Sequence, residues 1–299
     1  MSNLIYSNLL GRHSRLSQPS HQRPKKPSLK LVACLLVALL AVGGFLKLND
    51  HVKAVDHAQT VASRAHQEQL QGAFGSSVNQ LIAANPAISF SVSTIDLSGG
   101  VSQHFGVSDP MEAASVGKLL TAAVFLEEVE KGHASLSAEL GGETSQAQLR
   151  QLIQQSDDNA WELFNDALGH DTLLAYAQNH HLDSYNVSDN TIGTDDVARL
   201  LRDLYQGQLL NAAHTKLLLS YMQNTNYEDF ITPAVPSYDK IYHKVGLVDD
   251  NVNDAAIITS HDQAFVLVIF TDGHGTQDWD SRAALIQKIT TQALKTYFN

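Results

Sequence analysis

The sequence predicts an α+β chain: a three-layer α/β/α sandwich whose single antiparallel sheet is assembled from both ends of the chain. Terminal helices cover that sheet, and an all-α lobe is inserted between its strands. Three observations lead to this prediction. One alternating strand pattern occurs early, at 88–95. A long succession of helical segments follows it. Three apolar strands and an amphipathic helix then close the chain.

Residues 1–30 are polar, rich in Ser, Pro and His, and read as a disordered tail. They hold six Lys/Arg (Arg12, Arg15, Arg23, Lys25, Lys26, Lys30) and no acid, leaving 14 basic against 31 acidic residues in the remainder. So acidic a remainder argues against nucleic acid or an anionic membrane surface as its partner. Leu31 to Leu46 is an uninterrupted apolar run between Lys30 and Lys47. As a helix it spans about 24 Å, short of a hydrocarbon core of roughly 30 Å, and the flanking lysines can snorkel across the difference. Segment 31–47 therefore predicts a single-pass membrane anchor, with the basic tail cytoplasmic and the rest extracytoplasmic. The rival reading is a secretory signal cleaved near Val52-Lys53-Ala54. Cys34, the sole cysteine, lies inside the apolar run, so the outer domain has no disulfide.

Residues 48–71 lack Pro and Gly and predict a helical stalk, and the main domain is placed at 72–299. Its first helix covers 72–85 and is ended by Asn85-Pro86. Ile88 to Ile95 alternates as a strand, turned by Ser98-Gly99-Gly100. Helices are predicted at 115–131, 145–154, 159–168, 171–180, 194–206 and 211–223, forming a lobe over about 119–225. Gly132, Gly169 and Gly207 are their C-terminal stops. Strands follow at 240–248, 254–260 and 264–271, then a helix from about 280 to 297.

Ser115-Val116-Gly117-Lys118 opens the first lobe helix. A serine there has free backbone N–H groups and the positive end of the helix dipole beside its hydroxyl. A lysine three residues on shares its face and can reach that hydroxyl, as a nucleophile and its base require. A chain of this length contains about one Ser-x-x-Lys by chance. A second, Ser237-Tyr238-Asp239-Lys240, leads into a strand and opens no helix.

With two further elements the chain resembles the penicilloyl-serine family, class A β-lactamases and penicillin-binding D,D-peptidases, over roughly 72–299. Ser156-Asp157-Asp158, between two predicted helices, resembles the family's Ser-Asp-Asn loop. His243-Lys244-Val245-Gly246, followed by Asn253-Asp254, resembles its Lys-Thr-Gly strand and the neighbouring strand. Thr194-Asp195-Asp196-Val197-Ala198 resembles the helix after the active-site loop. A literal Ser188-Asp189-Asn190 also occurs, but in a polar loop only six residues before Thr194, where a turn or cap is expected.

The resemblance implies Ser115 as nucleophile, Lys118 as its base, Ser156 as proton relay and Lys244 as the cation polarising Ser156. It implies an oxyanion hole from the N–H groups of Ser115 and Leu247, and substrate contacts at Asp158, Val245, Gly246 and Leu247. It implies β-lactams or acyl-D-alanyl peptidoglycan peptides as substrates and no cofactor. Three departures stand out. Asp158 replaces an asparagine that donates to a substrate carbonyl, and a carboxylate cannot donate. Val245 replaces a threonine hydroxyl. No Glu-x-x-Leu-Asn, which holds the water-activating glutamate of class A enzymes, occurs between Ser156 and Thr194, where Asp183 and Asp189 read as solvated loop residues. Acylation with slow deacylation is the expected outcome, against a non-catalytic wall- or partner-binding member or an esterase as alternatives. The 14 histidines show no metal-ligand spacing. Trp161 and Trp279 are expected to pack in the core or lobe, and Asp254 either orients the strand near Lys244 or caps a turn.

Overall fold

Alternation along the strands becomes the two faces of one sheet in a computed structural model of the chain. The structure describes Lys53 and residues 63–298, so the predicted tail, the apolar run and most of the predicted stalk lie outside the described residues. Among the described residues no helix is long and apolar enough to cross a membrane. Helix α1 runs unbroken through residues 64–84, crossing the predicted stalk boundary at 71–72. Gln67 on α1 already donates to the carbonyl of Thr296 at 3.2 Å.

Strands β1 (Ser89–Asp96) and β2 (Ser102–Gly106) form a hairpin around the predicted turn. The lobe comprises α2 (Lys118–Glu130), α3 (Ser145–Gln154), α4 (Asp158–Leu168), α5 (His170–Asn179), α6 (Thr194–Tyr205) and α7 (Ala212–Tyr221). Two small ladders stitch it: β3 (Met111–Glu112) with β6 (Thr191–Ile192), and β4 (Glu139–Leu140) with β5 (Glu143–Thr144). The chain closes with β7 (Lys240–Val248), β8 (Asn251–Ser260), β9 (Gln263–Asp272) and α8 (Trp279–Tyr297). The main sheet is antiparallel in the order β2-β1-β9-β8-β7, so the last strands pair with the first.

The centre of the sheet shows why β9 reads as an almost continuous apolar run. Val266, Val268 and Phe270 pack with the lobe helices, while Phe265, Leu267 and Ile269 pack with Phe74 and Val78 of α1 and Ile286, Ile289 and Ala293 of α8. A strand covered on both faces has no polar side to display. The three-layer sandwich with an inserted lobe is thus the observed architecture. Hydroxyls tie the layers where apolar packing gives way: Thr194 at the start of α6 bonds Ser91 at 2.8 Å and Ser93 at 2.7 Å.

Two expectations need correction. The sheet has five strands, because Ser102–Gly106 adds β2 at the edge. With one apolar residue among Ser-Gln-His-Phe-Gly it carries no strand pattern of its own and is made by pairing with β1. Ser115 does not begin α2: it sits in a 3₁₀ turn, Ala114–Gly117, directly before it.

That turn packs on β7 at Gly246. A Cβ there would lie 2.6 Å from the Ala113 carbonyl oxygen and 3.0 Å from the Val116 nitrogen, so two backbones would have to separate. Gly246→Ala is therefore expected to lower stability by about 1–3 kcal/mol. Gly72→Ala on α1, with nothing within 4 Å, is the control and should be neutral or stabilising. Thermal melts followed by circular dichroism check both; equal melting temperatures for the two variants would contradict the close approach.

Candidate active site

The site forms where three pieces of chain meet: the Ala114–Gly117 turn, the loop between α3 and α4, and β7. The turn is held from outside. Ala114 has φ +48°, a left-handed conformation uncommon for a residue with a Cβ. The Glu112 carboxylate accepts from the Ala114 N–H at 3.0 Å and from Asn190 Nδ2 at 2.8 Å. Asn190 Nδ2 also donates to the Ala114 carbonyl at 3.0 Å, and the Asn190 carbonyl accepts from the Ala113 N–H at 2.9 Å. A Cβ on Gly117 would sit 2.4 Å from Asn190 Oδ1, which explains the glycine between Ser115 and Lys118.

Lys118 is fully buried, and its Nζ faces three oxygens: Ser115 Oγ at 2.9 Å, the Ser156 carbonyl at 2.7 Å and Asp158 Oδ1 at 2.5 Å. The Trp161 ring lies against it, 5.1 Å from Nζ to the ring centre. Trp161 Nε1 donates to Thr121 Oγ1 at 2.9 Å, which fixes the ring. Burial lowers the Lys118 pKa below its ordinary value, and the hydrogen bond and charge of Asp158 offset part of that shift.

Lys244 is also buried, on the lobe-facing side of β7, and donates to Ser156 Oγ at 2.8 Å and to the Val245 carbonyl at 2.7 Å. Burial, then the positive charge of Lys118, brings its pKa down to about 7. Ser156 has φ +57°, and this left-handed turn lets its hydroxyl meet Lys244 while its carbonyl meets Lys118. One residue thus touches both cations. Asp157 caps α4 through the Ala160 N–H at 2.7 Å, and Asp158 is the first residue of that helix. A carboxylate at a helix N-terminus is favoured by the dipole.

The structure therefore brings Ser115, Lys118, Ser156, Asp158, Lys244 and Gly246 together. Val245 is different: its side chain packs in the apolar layer behind the sheet with Phe230 and Ile231, and Leu247 packs against the same layer. The Ser188 N–H donates to Asn186 Oδ1, which caps that loop, and the Asp189 carboxylate accepts from Asn186 Nδ2, so both are engaged within their own loop. Among the described residues no cluster could hold a metal ion.

Several functional neighbours escaped the sequence reading. Glu112 and Asn190 clamp the Ser115 turn, and the only available signal was the discarded Ser188-Asp189-Asn190 string. Trp161 lies at Lys118 as well as in the lobe, and Trp279 is partly exposed and not core. Asp254 meets Ile231, the residue that precedes the Thr232–Ala234 turn. It is buried in mid-β8, accepting from the Ile231 N–H at 3.0 Å and facing His243 Nδ1 at 3.0 Å. His243 is buried too, with Nε2 at 3.2 Å from Glu228. Burial opposes its charge, but Asp254 and Glu228 outweigh burial and hold its pKa at about 9. Alternation on β7 puts this imidazolium on the face opposite Lys244.

Comparison with known proteins places this arrangement. No curated protein sequence matches the chain. Among solved structures, PBP-A matches with TM-score 0.69 at 20% identity, covering 74% of this chain and 94% of that one. An ancestral class A β-lactamase matches with TM-score 0.71 at 18% identity, covering 75% and 100%. A β-lactamase from Sphaerobacter thermophilus matches with TM-score 0.67 at 21% identity, covering 74% and 96%. At these identities the likeness establishes the fold. The model of the β-lactamase enzyme family matches residues 73–297, three quarters of the chain, and the chain belongs to that family.

Proposed function

We propose that the chain is a serine hydrolase that forms an acyl-enzyme on Ser115 with β-lactams or acyl-D-alanyl cell-wall peptides and deacylates slowly. One observation supports this most directly: Lys118 Nζ stands 2.9 Å from Ser115 Oγ while Lys244 Nζ stands 2.8 Å from Ser156 Oγ. Two hydroxyls each have a buried amine at hydrogen-bond distance, and the two pairs meet at Ser156.

In this reading, neutral Lys118 keeps its two N–H bonds on the Ser156 carbonyl and Asp158, and its lone pair takes the Ser115 proton. Ser115 Oγ bonds to the acyl carbon, and the bond from that carbon to the leaving nitrogen breaks. Ser156, its hydroxyl polarised by the Lys244 cation, gives its proton to the nitrogen and is resupplied with the proton that Lys118 took from Ser115. The N–H groups of Ser115 and Leu247 serve the oxyanion, by analogy with the family.

Release is the weak step. Asp183 and Asp189 make no hydrogen bond to Ser115 or Lys118, and Asp189 is engaged with Asn186 in its own loop. A PBP-A mutant has been solved as a penicillin G acyl-enzyme, which is consistent with the same chemistry here. The domain would work outside the membrane, anchored through segment 31–47. A non-catalytic binding role is the second reading, favoured by the 2.5 Å contact of Asp158 with Lys118, which stabilises the protonated lysine.

Incubation of the soluble domain with penicillin G, followed by intact mass measurement, is expected to give one persistent adduct that is lost in Ser115→Ala. No adduct on the folded wild type would leave the binding role standing.

The pH profile is a separate check. Lys118 must be neutral, so acylation rises with pH through its lowered pKa. Lys244 must be charged, so acylation falls as pH passes about 7. Lys244→Arg keeps its charge throughout, and the alkaline fall should vanish from the acylation rate. An unchanged alkaline limb in that variant would remove Lys244 from the proposed role.

A further inference from the structure

A cleft of about 430 Å³ opens between the loop after α7, the end of β7 and the start of α8. That volume lies within the range of small-molecule sites. Its walls are apolar and aromatic: Tyr227, Phe230, Leu247 and Trp279. Few large apolar or aromatic side chains are exposed among the described residues, and Tyr227 and Trp279, at 41% and 39%, are two of them. The Trp279 ring is anchored, since its Nε1 donates to the Asp249 carbonyl at 3.4 Å. Across the cleft, Gln287 Nε2 on α8 donates to the Asp229 carbonyl at 2.8 Å, which ties the loop to the helix. The cleft is thus formed before any ligand arrives. It lies on the face opposite Lys244, because β7 alternates and Leu247 packs with Phe230 in the apolar layer behind the sheet.

Two acids complete the lining, Asp229 from the loop and Asp280 from the first turn of α8, and no base does. Both are exposed, and neither carboxylate makes a hydrogen bond or ion pair among the described residues. The nearby Arg282 is buried and directs its guanidinium at the backbone carbonyls of Asp250 and Thr276 instead. Unbalanced acids beside aromatic faces attract a cation, and apolar walls take the chain that carries it. A bare divalent ion needs more oxygen ligands than two carboxylates give, and among the described residues no cluster could hold a metal. We propose that this cleft binds a primary alkylammonium group, with the ammonium between Asp229 and Asp280 against the two rings and its aliphatic chain on Phe230 and Leu247. A lysyl side chain and a free diamine both present that group on a short run of methylenes. The proposal goes beyond the hydrolase reading and holds whether or not Ser115 is acylated.

The indole N–H signals of the full chain, followed by heteronuclear NMR, provide the readout. Trp161 and Trp279 are the only tryptophans, and Trp279→Phe identifies which signal is which. Titration with Nα-acetyl-lysine methylamide and with cadaverine is expected to move the Trp279 signal saturably. Nα-acetyl-norleucine methylamide, which lacks the ammonium, is expected to leave it in place. Tighter binding of the lysine derivative assigns the amine to a peptide; tighter binding of cadaverine assigns it to a free diamine. The Kd of the tighter compound should rise about tenfold in the Asp229→Asn, Asp280→Asn double variant. Tyr227→Ala leaves both acids and the start of α8 intact and should raise it about threefold. Ser115→Ala should bind as the wild type does. A Trp279 signal that stays still, or that answers norleucine as strongly as lysine, overturns the proposal. So does an unchanged Kd in the folded double variant or, should that variant not fold, in Tyr227→Ala.

Discussion

A lysine with no exposure to solvent has to find its partners within the protein, and most of this site follows from that constraint on Lys118. An ion taken out of water loses several kcal/mol of hydration, and only close, well-directed acceptors recover it. Lys118 has three: the Ser115 hydroxyl, the Ser156 carbonyl and the Asp158 carboxylate. They come from two separate segments of chain, so one buried amine holds the Ser115 turn and the α3–α4 loop together. The left-handed residues on either side, Ala114 and Ser156, keep that geometry at a conformational cost of about 1–2 kcal/mol each. Strain of this kind persists only where the surroundings over-determine the backbone, as the Glu112–Asn190 clamp does for Ala114.

The second buried amine depends on the first. Lys244 is held near neutrality partly because Lys118 is close, and the two share Ser156. Its strand is secured from behind by another charge. His243 projects to the opposite face between Asp254 on β8 and Glu228 on the preceding loop, with Thr225 and Thr232 also within hydrogen-bond range of its Nε2. A strand with period two can present a buried lysine on one face and an imidazolium on the other at consecutive residues. Because β7 is the edge of the sheet, it has only β8 to fix its register, and the His243–Asp254 pair adds a side-chain bond at that ladder.

Legibility followed the local strength of each pattern. Helices α3 to α6 lie within one residue of their predicted limits, because amphipathic spacing and the glycine stops Gly132, Gly169 and Gly207, all at positive φ, are properties of a few neighbouring residues. β9 was equally plain from its unbroken apolar run. β2 was invisible, since its pairing with β1 supplies what its composition lacks. Ser115, Ser156 and Lys244 were chosen by order and setting; the structure brings them together, while the Ser188 backbone is held by Asn186 in its own loop. Trp161 and the Glu112–Asn190 clamp were not readable. They act across 43 and 78 residues of sequence, distances at which no spacing rule applies.

Composition, periodicity and motif order were enough to specify an α+β sandwich, its inserted lobe and a serine–lysine pair at the head of a helix, because each element is set by neighbouring residues and the order of elements is carried by the chain itself. The tertiary structure decided the rest. It set Ser115 in a 3₁₀ turn ahead of the helix, turned Val245 away into the apolar layer, and brought Asp158 against Lys118 with one oxygen left open. Those outcomes depend on burial and on contacts between distant segments, and burial is what changes the charge balance of two lysines and so the chemistry open to Ser115.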